Sequence, residues 1–127
     1  MKKILLTILV LFVASCGSEM PPPSEASVIS TVRLPESEIV NVHHAVRARL
    51  LDPINAKFGP HVAMSVTDQN ESYKVVCGYV DFRGTYGYLG YRLYIASDQT
   101  GAWLSSIPTG YTANQCIKNY GFAPPPP

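Results

Sequence analysis

Apolar residues early in the chain recur at the spacing of a helix. The segment 34–51, LPESEIVNVHHAVRARLL, places them three or four positions apart, so that they form one face. The residues of this face are Ile39, Val42, Val46 and Leu50. Pro35 suits the first position of a helix, and Asp52-Pro53 ends it because the residue before a proline avoids helical geometry. The pattern therefore predicts one N-terminal helix.

After residue 60, apolar and polar residues alternate, which is typical of strands. The alternation predicts four strands, over 62–67, 73–82, 88–96 and 102–105. Short segments rich in Gly, Asp and Thr join them, so consecutive strands are expected to pair antiparallel as a meander. The predicted fold class is α+β, with the N-terminal helix packed on one face of a roughly four-stranded antiparallel sheet.

The same alternation assigns side chains to the two faces of the sheet. In the third predicted strand, one set is assigned to the core against the helix: Leu89, Tyr91, Leu93 and Ile95. The other set is assigned to the opposite face: Tyr88, Gly90, Arg92 and Tyr94. Both faces of the second predicted strand are partly apolar, so the C-terminal segment 111–120 is expected to cover the side away from the helix.

The first sixteen residues, MKKILLTILVLFVASC, join two lysines to an apolar run that ends in small residues and a cysteine. The run is shorter than the roughly 20 residues that span a bilayer, and it is typical of a secretion signal. Val13-Ala14-Ser15-Cys16 resembles the lipobox of bacterial lipoproteins. The resemblance implies removal of residues 1–15, a diacylglycerol on the thiol of Cys16 and a further acyl chain on its amine. The alternative is an ordinary cleaved signal with an incidental cysteine.

Location follows from this resemblance. Two or more acyl chains hold a protein stably on a membrane, so the lipobox implies membrane attachment through Cys16. The expected location is the cell envelope, facing the periplasm. Gly17 rather than Asp follows the cysteine, which resembles lipoproteins sorted to the outer membrane.

Composition divides the chain into four parts. Residues 1–15 form the predicted signal peptide, and residues 16–33 form the lipidated cysteine with a Pro-, Ser- and Glu-rich linker that is expected to be disordered. Residues 34–123 are predicted to form one small α+β domain, and residues 124–127 a polyproline tail. Such a tail is either a solvated end or a docking ligand.

The charge distribution along the sequence argues against binding to nucleic acid. Eight basic and nine acidic residues follow Cys16, whereas a nucleic-acid surface needs an excess of basic residues in one patch. The histidines are His43, His44 and His61, and the two adjacent ones would point in different directions on a helix. The sequence shows no metal-ligand spacing and no dinucleotide or phosphate-loop motif. We therefore predict no metal site and no cofactor.

Two cysteines, Cys77 and Cys116, remain after Cys16. An even pair in an oxidising compartment predicts a disulfide, which would clip the short C-terminal segment to the central strand. The alternatives are two free buried thiols or a catalytic cysteine, although neither cysteine has a histidine next to it in the sequence.

The segment 77–95, CGYVDFRGTYGYLGYRLYI, contains five tyrosines and four glycines. One interpretation is structural, because tyrosine favours strands and glycine supplies the positive φ of a hairpin loop, here at Gly84 and Gly87. The other interpretation is an exposed surface for a sugar, a peptide or a protein. Its candidate residues are Tyr79, Arg83, Tyr88, Arg92 and Tyr94.

This segment also resembles a motif, V-C-G-x-V-N-x-K-N-x-x-G-G-Y, of small exported proteins and lipoproteins of Proteobacteria. Asp52-Pro53-Ile54-Asn55-Ala56-Lys57-Phe58 is similar to the D-P-x-S-A-x-F segment that often precedes it. The chain departs from the motif where Asp81 replaces Asn and Arg83-Gly84 replaces Lys-Asn. The function of those proteins is unknown, so the resemblance implies a fold and no catalytic residues.

The sequence contains no complete catalytic motif, and its central carboxylate, Asp81, is expected to pair with Arg83 or Arg92. The favoured hypothesis is a non-enzymatic envelope lipoprotein that contacts another envelope protein or a cell-wall component. The alternative is a periplasmic inhibitor, or a protein that binds a small ligand or cell-wall fragment, using the loop 83–88. A third hypothesis is a small enzyme that uses Asp81 and His61.

Overall fold

The computed structural model describes residues 23–24, 26–106 and 115–127. Cys16, the predicted signal peptide and part of the predicted linker lie outside these residues, as do residues 107–114. The described elements are β1 (Val28–Val32), α1 (Glu36–Arg47), β2 (Lys57–Asp68), β3 (Glu71–Asp81), β4 (Arg83–Gly84), β5 (Gly87–Tyr88), β6 (Arg92–Ser97), β7 (Leu104–Ser105) and α2 (Gln115–Tyr120). The predicted α+β class is confirmed.

Five of the described strands form one antiparallel sheet in the order β1-β2-β3-β6-β7, and β4 pairs with β5 as a separate small hairpin. Strands β2 and β3 are joined by a two-residue turn, in which both Gln69 and Asn70 have positive φ. Such a turn matches the twist of a hairpin. Pro60 lies where the β2–β3 register shifts between Phe58 and His61, a position at which a strand tolerates proline.

The structure corrects the predicted extent of the linker. Val28–Val32 forms strand β1 within the stretch that the sequence predicts to be disordered, and it pairs with β2 from Thr67 to Ala63. The strand is secured at its start because Ser24 donates its backbone N–H and its hydroxyl to the carboxylate of Asp68. The β-branched run VISTV favours a strand, although the residues before it are typical of a linker.

Three other boundaries differ from the prediction. Helix α1 ends at Arg47, four residues before the end of the predicted segment, and β2 begins at Lys57 rather than residue 62. The predicted strand 88–96 is interrupted between β5 and β6, where Gly90 has a φ of 84°. Positive φ also occurs at Gly87 as expected, but not at Gly84.

The sheet carries a hydrophobic core on each side. The core on the side of α1 contains Leu34, Val42, Val46, Ala63, Val76, Val80, Tyr94 and Ala96. The core on the side of α2 contains Met64, Val66, Tyr73, Val75, Cys77, Ile95, Cys116 and Tyr120. Helix α2, the described part of the predicted segment 111–120, therefore packs on the second side of the sheet, as predicted. Pro124, at the start of the predicted tail, is also buried.

The assignment of faces in the third predicted strand is wrong. Tyr94 and Ala96 belong to the core beneath α1, whereas Ile95 belongs to the core beneath α2. Tyr94 pairs with Gly78 across the sheet, and a Cβ built on Gly78 would lie 2.6 Å from the Tyr94 Cζ. The tyrosine ring thus fits under the helix because its cross-strand neighbour has no side chain.

Cys77 and Cys116 form a disulfide, as predicted. Both residues are fully buried, and the bond joins the central strand β3 to α2. In the described part of the chain, neither helix has the length and apolar character that a membrane crossing requires.

Candidate functional site

One end of the sheet carries two neighbouring connecting segments, the one before β2 and the one between β3 and β6. Strand β2 begins there and β3 ends there, since Lys57 pairs with Asp81. Strand β6 begins at the same end, because Arg92 pairs with Val80. We call residues 47–57 and 81–92, which form this end, the tip.

Polar contacts hold the segments of the tip together. The Tyr88 hydroxyl donates to the backbone carbonyl of Asn55 at 3.3 Å, and the Lys57 Nζ lies 4.4 Å from the centroid of the Tyr88 ring. The backbone N–H of Gly90 donates to the Asp81 carboxylate at 3.1 Å. The β4–β5 hairpin is therefore fixed against both the loop before β2 and the end of β3.

Large apolar side chains at the tip are exposed to solvent. Leu51 is 86 % exposed, Ile54 89 % and Tyr86 99 %. Tyr88, Leu89 and Tyr91 are each about half exposed. Exposed large apolar side chains that gather at one end of a fold are typical of surfaces that contact proteins or membranes.

The predicted binding residues do not all reach this surface. Arg83 and Tyr88 are exposed, whereas Tyr79 and Arg92 are only partly exposed. Tyr94 is fully buried, which overturns its assignment to an exposed group. Burial raises the pKa of the Tyr94 hydroxyl, which has no hydrogen-bond partner in the described part of the chain. The Arg92 Nε is likewise buried without a partner there.

The candidate list from the sequence omits several exposed residues of the tip, although Tyr86 lies in the loop 83–88 of the alternative hypothesis: Leu51, Ile54, Tyr86, Leu89 and Tyr91. The helical spacing includes Leu51 in the predicted helix, and the strand pattern assigns Leu89 and Tyr91 to the core. The sequence does contain one signal that the strand 88–96 is interrupted, namely the glycine on each side of Tyr88-Leu89. Gly87 and Gly90 both adopt positive φ, which ends strand geometry.

Basic residues are concentrated at the tip. Five of the eight that follow Cys16 lie there: Arg47, Arg49, Lys57, Arg83 and Arg92. Its acidic residues are Asp52 and Asp81, and each accepts a local hydrogen bond, Asp52 from the Asn55 amide and Asp81 from Gly90. The tip therefore presents more positive than negative charge.

The opposite end of the sheet is acidic. We call it the turn end, because it contains the β2–β3 turn at Gln69–Asn70. Its acidic residues are Glu38, Asp68, Glu71 and Asp98. Glu38 forms an ion pair at 3.1 Å with Lys74, a basic residue of this end.

His43 packs between α1 and the sheet, and His61 lies near it on β2, exposed to solvent. The His43 ring stacks on Phe58 with centroids 3.8 Å apart, and Arg47 lies 5.0 Å from the same ring. Burial, with help from the positive Arg47 and from His61, lowers the pKa of His43 to about 4. Burial also lowers the pKa of His61. Both histidines are therefore mainly neutral near pH 7, and His43 contributes by packing on Phe58 rather than as a source of positive charge.

The register does not bring Asp81 and His61 together. His61 pairs with Gly78, and strand alternation places Asp81 on the other face of the sheet. Asp81 also lacks the predicted ion pair with Arg83 or Arg92, because the salt bridge found within the described residues joins Lys74 to Glu38. Those residues contain no cluster of three or more potential metal ligands.

A shallow groove of about 610 Å³ lies between the start of α1 and β2, lined among others by Arg33, Glu36 and His61. A second, of about 420 Å³, borders the tip between His44, Arg47 and Ile54. The second groove therefore lies between the last turn of α1 and the loop before β2, at the edge of the tip.

The sequence matches no known family model and no curated protein, and the fold matches no solved structure.

Proposed function

We propose that this protein is a lipid-anchored, non-enzymatic component of a bacterial envelope that works through contacts made by its tip. The observation that carries the proposal is the group of highly exposed apolar side chains at the tip, which also contains five of the eight basic residues that follow Cys16. The lipobox-like segment at Cys16 supports the anchor. The Cys77–Cys116 disulfide supports export, because disulfides persist in oxidising compartments.

The position of β1 supports the assignment of the tip as the contact surface. The chain enters the sheet at the turn end, where Ser24 is bonded to Asp68 and Val28 pairs with Thr67. The tip lies at the other end of β3, whose eleven residues span about 33 Å at roughly 3.3 Å per residue. An anchor at Cys16 would therefore hold the turn end and leave the tip free to make contacts.

A second candidate function is a periplasmic inhibitor or a protein that binds a small ligand or cell-wall fragment. The β4–β5 hairpin favours it, because Arg83–Tyr88 forms an ordered projection outside the main sheet and carries the exposed Tyr86. An inhibitor commonly presents such a rigid loop, since little conformational entropy is lost when it binds.

The anchor is tested by growing cells with a fatty-acid analogue that can be labelled after lysis. We expect labelled protein in the membrane fraction, and we expect Cys16→Ala to abolish the label because it removes the acylated thiol. Ser15→Ala, which keeps the cysteine, is the matched control. Labelling that survives Cys16→Ala, or a soluble cytosolic protein with Cys77 and Cys116 open to alkylation, would overturn the proposal.

The contact surface is tested by photocrosslinking in intact cells. A photoreactive phenylalanine analogue in place of Tyr86 reports on the tip, and the same analogue in place of Thr100, an exposed residue of the β6–β7 turn at the turn end, is the control. We expect the analogue to give adducts, protein or lipid, at position 86 and few at position 100. Equal adducts at both positions would remove the tip from the proposal.

A further inference from the structure

The exposed apolar side chains of the tip lie on different loops. Leu51 and Ile54 lie in the loop before β2, Tyr86 lies at the apex of the β4–β5 hairpin, and Leu89 and Tyr91 follow it. A protein interface of standard size needs a continuous, closely fitting surface of about 800 Å² on each partner. Separate projecting side chains suit a fluid partner, into which each can sink without a preformed pocket.

The charge around these side chains points to the same kind of partner. Exposed Arg49, Lys57 and Arg83 belong to the same segments of the tip, and both tip carboxylates already accept hydrogen bonds within the tip. Each Lys or Arg near an anionic lipid surface adds to the electrostatic attraction. Tyrosine and basic residues together are the side chains that favour the interface between lipid and water.

We propose that the tip binds the anionic phospholipid headgroups of the leaflet in which the protein is anchored, so that the domain has two points of attachment. The choice of leaflet rests on the proposed function, because it requires the anchor at Cys16. The lipid chemistry rests on the tip alone.

The reach of the chain selects that leaflet. Residues 17–23 separate Cys16 from Ser24, and seven residues span at most about 25 Å when fully extended. The extended segment and the sheet, which is about 33 Å long, together keep the tip within about 60 Å of the membrane surface that holds the anchor. The acidic turn end is repelled by anionic lipid and the basic tip is attracted, which favours a domain lying over on its own membrane.

The anchor also reduces the affinity that the tip needs. Once one end of the protein is held on the membrane, contact by the tip becomes an intramolecular event with an effective concentration on the order of millimolar. Partial insertion of two or three apolar side chains with modest electrostatic attraction is sufficient under these conditions.

The lipid chemistry is tested with the chain from Gly17 onward, oxidised to form the Cys77–Cys116 disulfide. This chain contains every described helix and strand, from Val28 to Tyr120, and lacks the acyl anchor. Its binding is measured by cosedimentation with vesicles of phosphatidylcholine and with vesicles that also contain phosphatidylglycerol. We expect at least tenfold tighter binding to the anionic vesicles and loss of binding in high salt, because salt screens the tip.

Two sets of variants separate the tip from the rest of the surface. The tip variant Leu51→Ser/Ile54→Ser/Tyr86→Ser is expected to bind anionic vesicles at least tenfold more weakly. The matched control, Val40→Ser/Leu104→Ser/Ile117→Ser, removes three exposed apolar side chains elsewhere and should bind normally. Lys57→Gln/Arg83→Gln provides a second tip variant, with unchanged apolar residues, and it should also bind more weakly. Urea midpoints verify that each variant is folded.

Three outcomes would overturn the inference: equal binding to neutral and anionic vesicles, equal effects of tip and control variants, or adducts at position 86 that are with protein alone.

The leaflet is tested with the lipidated protein in anionic vesicles, to which protein-free anionic vesicles are added. No clustering of the two populations is expected, since the tip engages its own membrane, and clustering would contradict that choice. The chain from Gly17 lacks Cys16, so its binding to vesicles does not depend on acylation. A negative result in the vesicle test and a negative result in the acylation test can therefore be told apart.

Discussion

The ring of Tyr94 fills the space above Gly78 on the side of α1. A Cβ at residue 78 would approach the Tyr94 Cζ to 2.6 Å, closer than real Cβ contacts come. Tyr94 is fully buried among Val42, Val46 and other core residues, so its ring has no free volume into which it can move. At the scale of single residues, this pair determines which face of β6 lies beneath the helix.

We expect Gly78→Ala to lower the free energy of unfolding by about 1–3 kcal/mol, the usual effect of inserting volume into a packed core. Urea denaturation measures the change. Gly59→Ala is the comparison and should cost less, because its Cβ would come no closer than 3.2 Å to its neighbours, the Tyr79 Cβ and the half-exposed ring of Tyr91. A Gly78→Ala protein as stable as the wild type would show that the Tyr94 ring does not lie over residue 78.

His43 makes stability depend on pH. Its pKa is about 4 in the folded protein, below the unfolded value of about 6.5, so the unfolded chain binds more protons between these two values. Stability is therefore expected to fall as the pH decreases from about 6.5 to about 4 and to show no further effect of this residue below that range. His61, whose pKa is also lowered, contributes with the same sign.

The measurement is the urea midpoint as a function of pH. His43→Phe keeps an aromatic ring on Phe58 and removes the titrating group, so it should reduce the slope between pH 6.5 and pH 4 without abolishing it. His44→Gln alters the adjacent, exposed histidine and should leave the slope unchanged. Equal slopes for the wild type and His43→Phe would show that the partial burial of His43 has no effect on its titration.

At the scale of secondary-structure elements, periodicity distinguishes a helix from a strand. It does not show which face of a strand packs against α1 and which against α2. The sequence separates Leu93 and Ile95 correctly from Tyr94, because alternate residues share a face. It does not show which set faces the helix, since both layers are apolar. The Tyr94 ring fits beneath the helix because Gly78 has no side chain, and the sequence alone does not show that these two residues are neighbours across the sheet.

The missed elements have a similar explanation. Strand β1 is five residues long and follows a linker-like composition, so it becomes apparent only through its pairing with β2. At the tip, Arg83 and Tyr88 are predictable because polar and aromatic residues in a hairpin suggest a surface. Leu51 and Ile54 are not, because an isolated aliphatic residue in a sequence is expected in a core.

The disulfide joins β3 to α2 within the core on the side of α2. Cys77 and Cys116 are 39 residues apart, for which the chain-entropy model gives a stabilisation of about 4 kcal/mol. This is a large part of the roughly 5–10 kcal/mol expected for a domain of this size. The disulfide was predictable from the sequence because only two cysteines remain after Cys16.

We expect Cys77→Ala/Cys116→Ala to lower the free energy of unfolding by several kcal/mol and to expose the amides of α2 to hydrogen exchange before those of β3. Urea denaturation and exchange measured by mass spectrometry test the two parts. Treatment of the wild type with a reductant should reproduce the effect without a change in volume. Unaltered protection of α2 in the double variant would show that Tyr120 and its neighbours hold the helix without the bond.

At the scale of the whole molecule, charge is segregated although the net charge is small. The chain from Gly17 has eight basic and nine acidic residues, yet five of the basic ones lie at the tip. Surface charges are screened beyond about 8 Å at physiological ionic strength, so a partner at one end does not experience the charge of the other. The tip therefore behaves locally as a cation.

This segregation predicts that the chain from Gly17 is retained by a sulfonate cation exchanger at pH 7 and low salt despite its net negative charge. Lys57→Gln/Arg83→Gln should elute at a clearly lower salt concentration, because it removes two charges from the tip. Arg33→Gln/Lys118→Gln changes the net charge equally but removes charges away from the tip, so it should elute close to the wild type. The two variants have the same net charge. An equal shift in the salt concentration of elution would therefore show that the position of the removed charges has no effect, and that the tip is not the surface that meets an anionic partner.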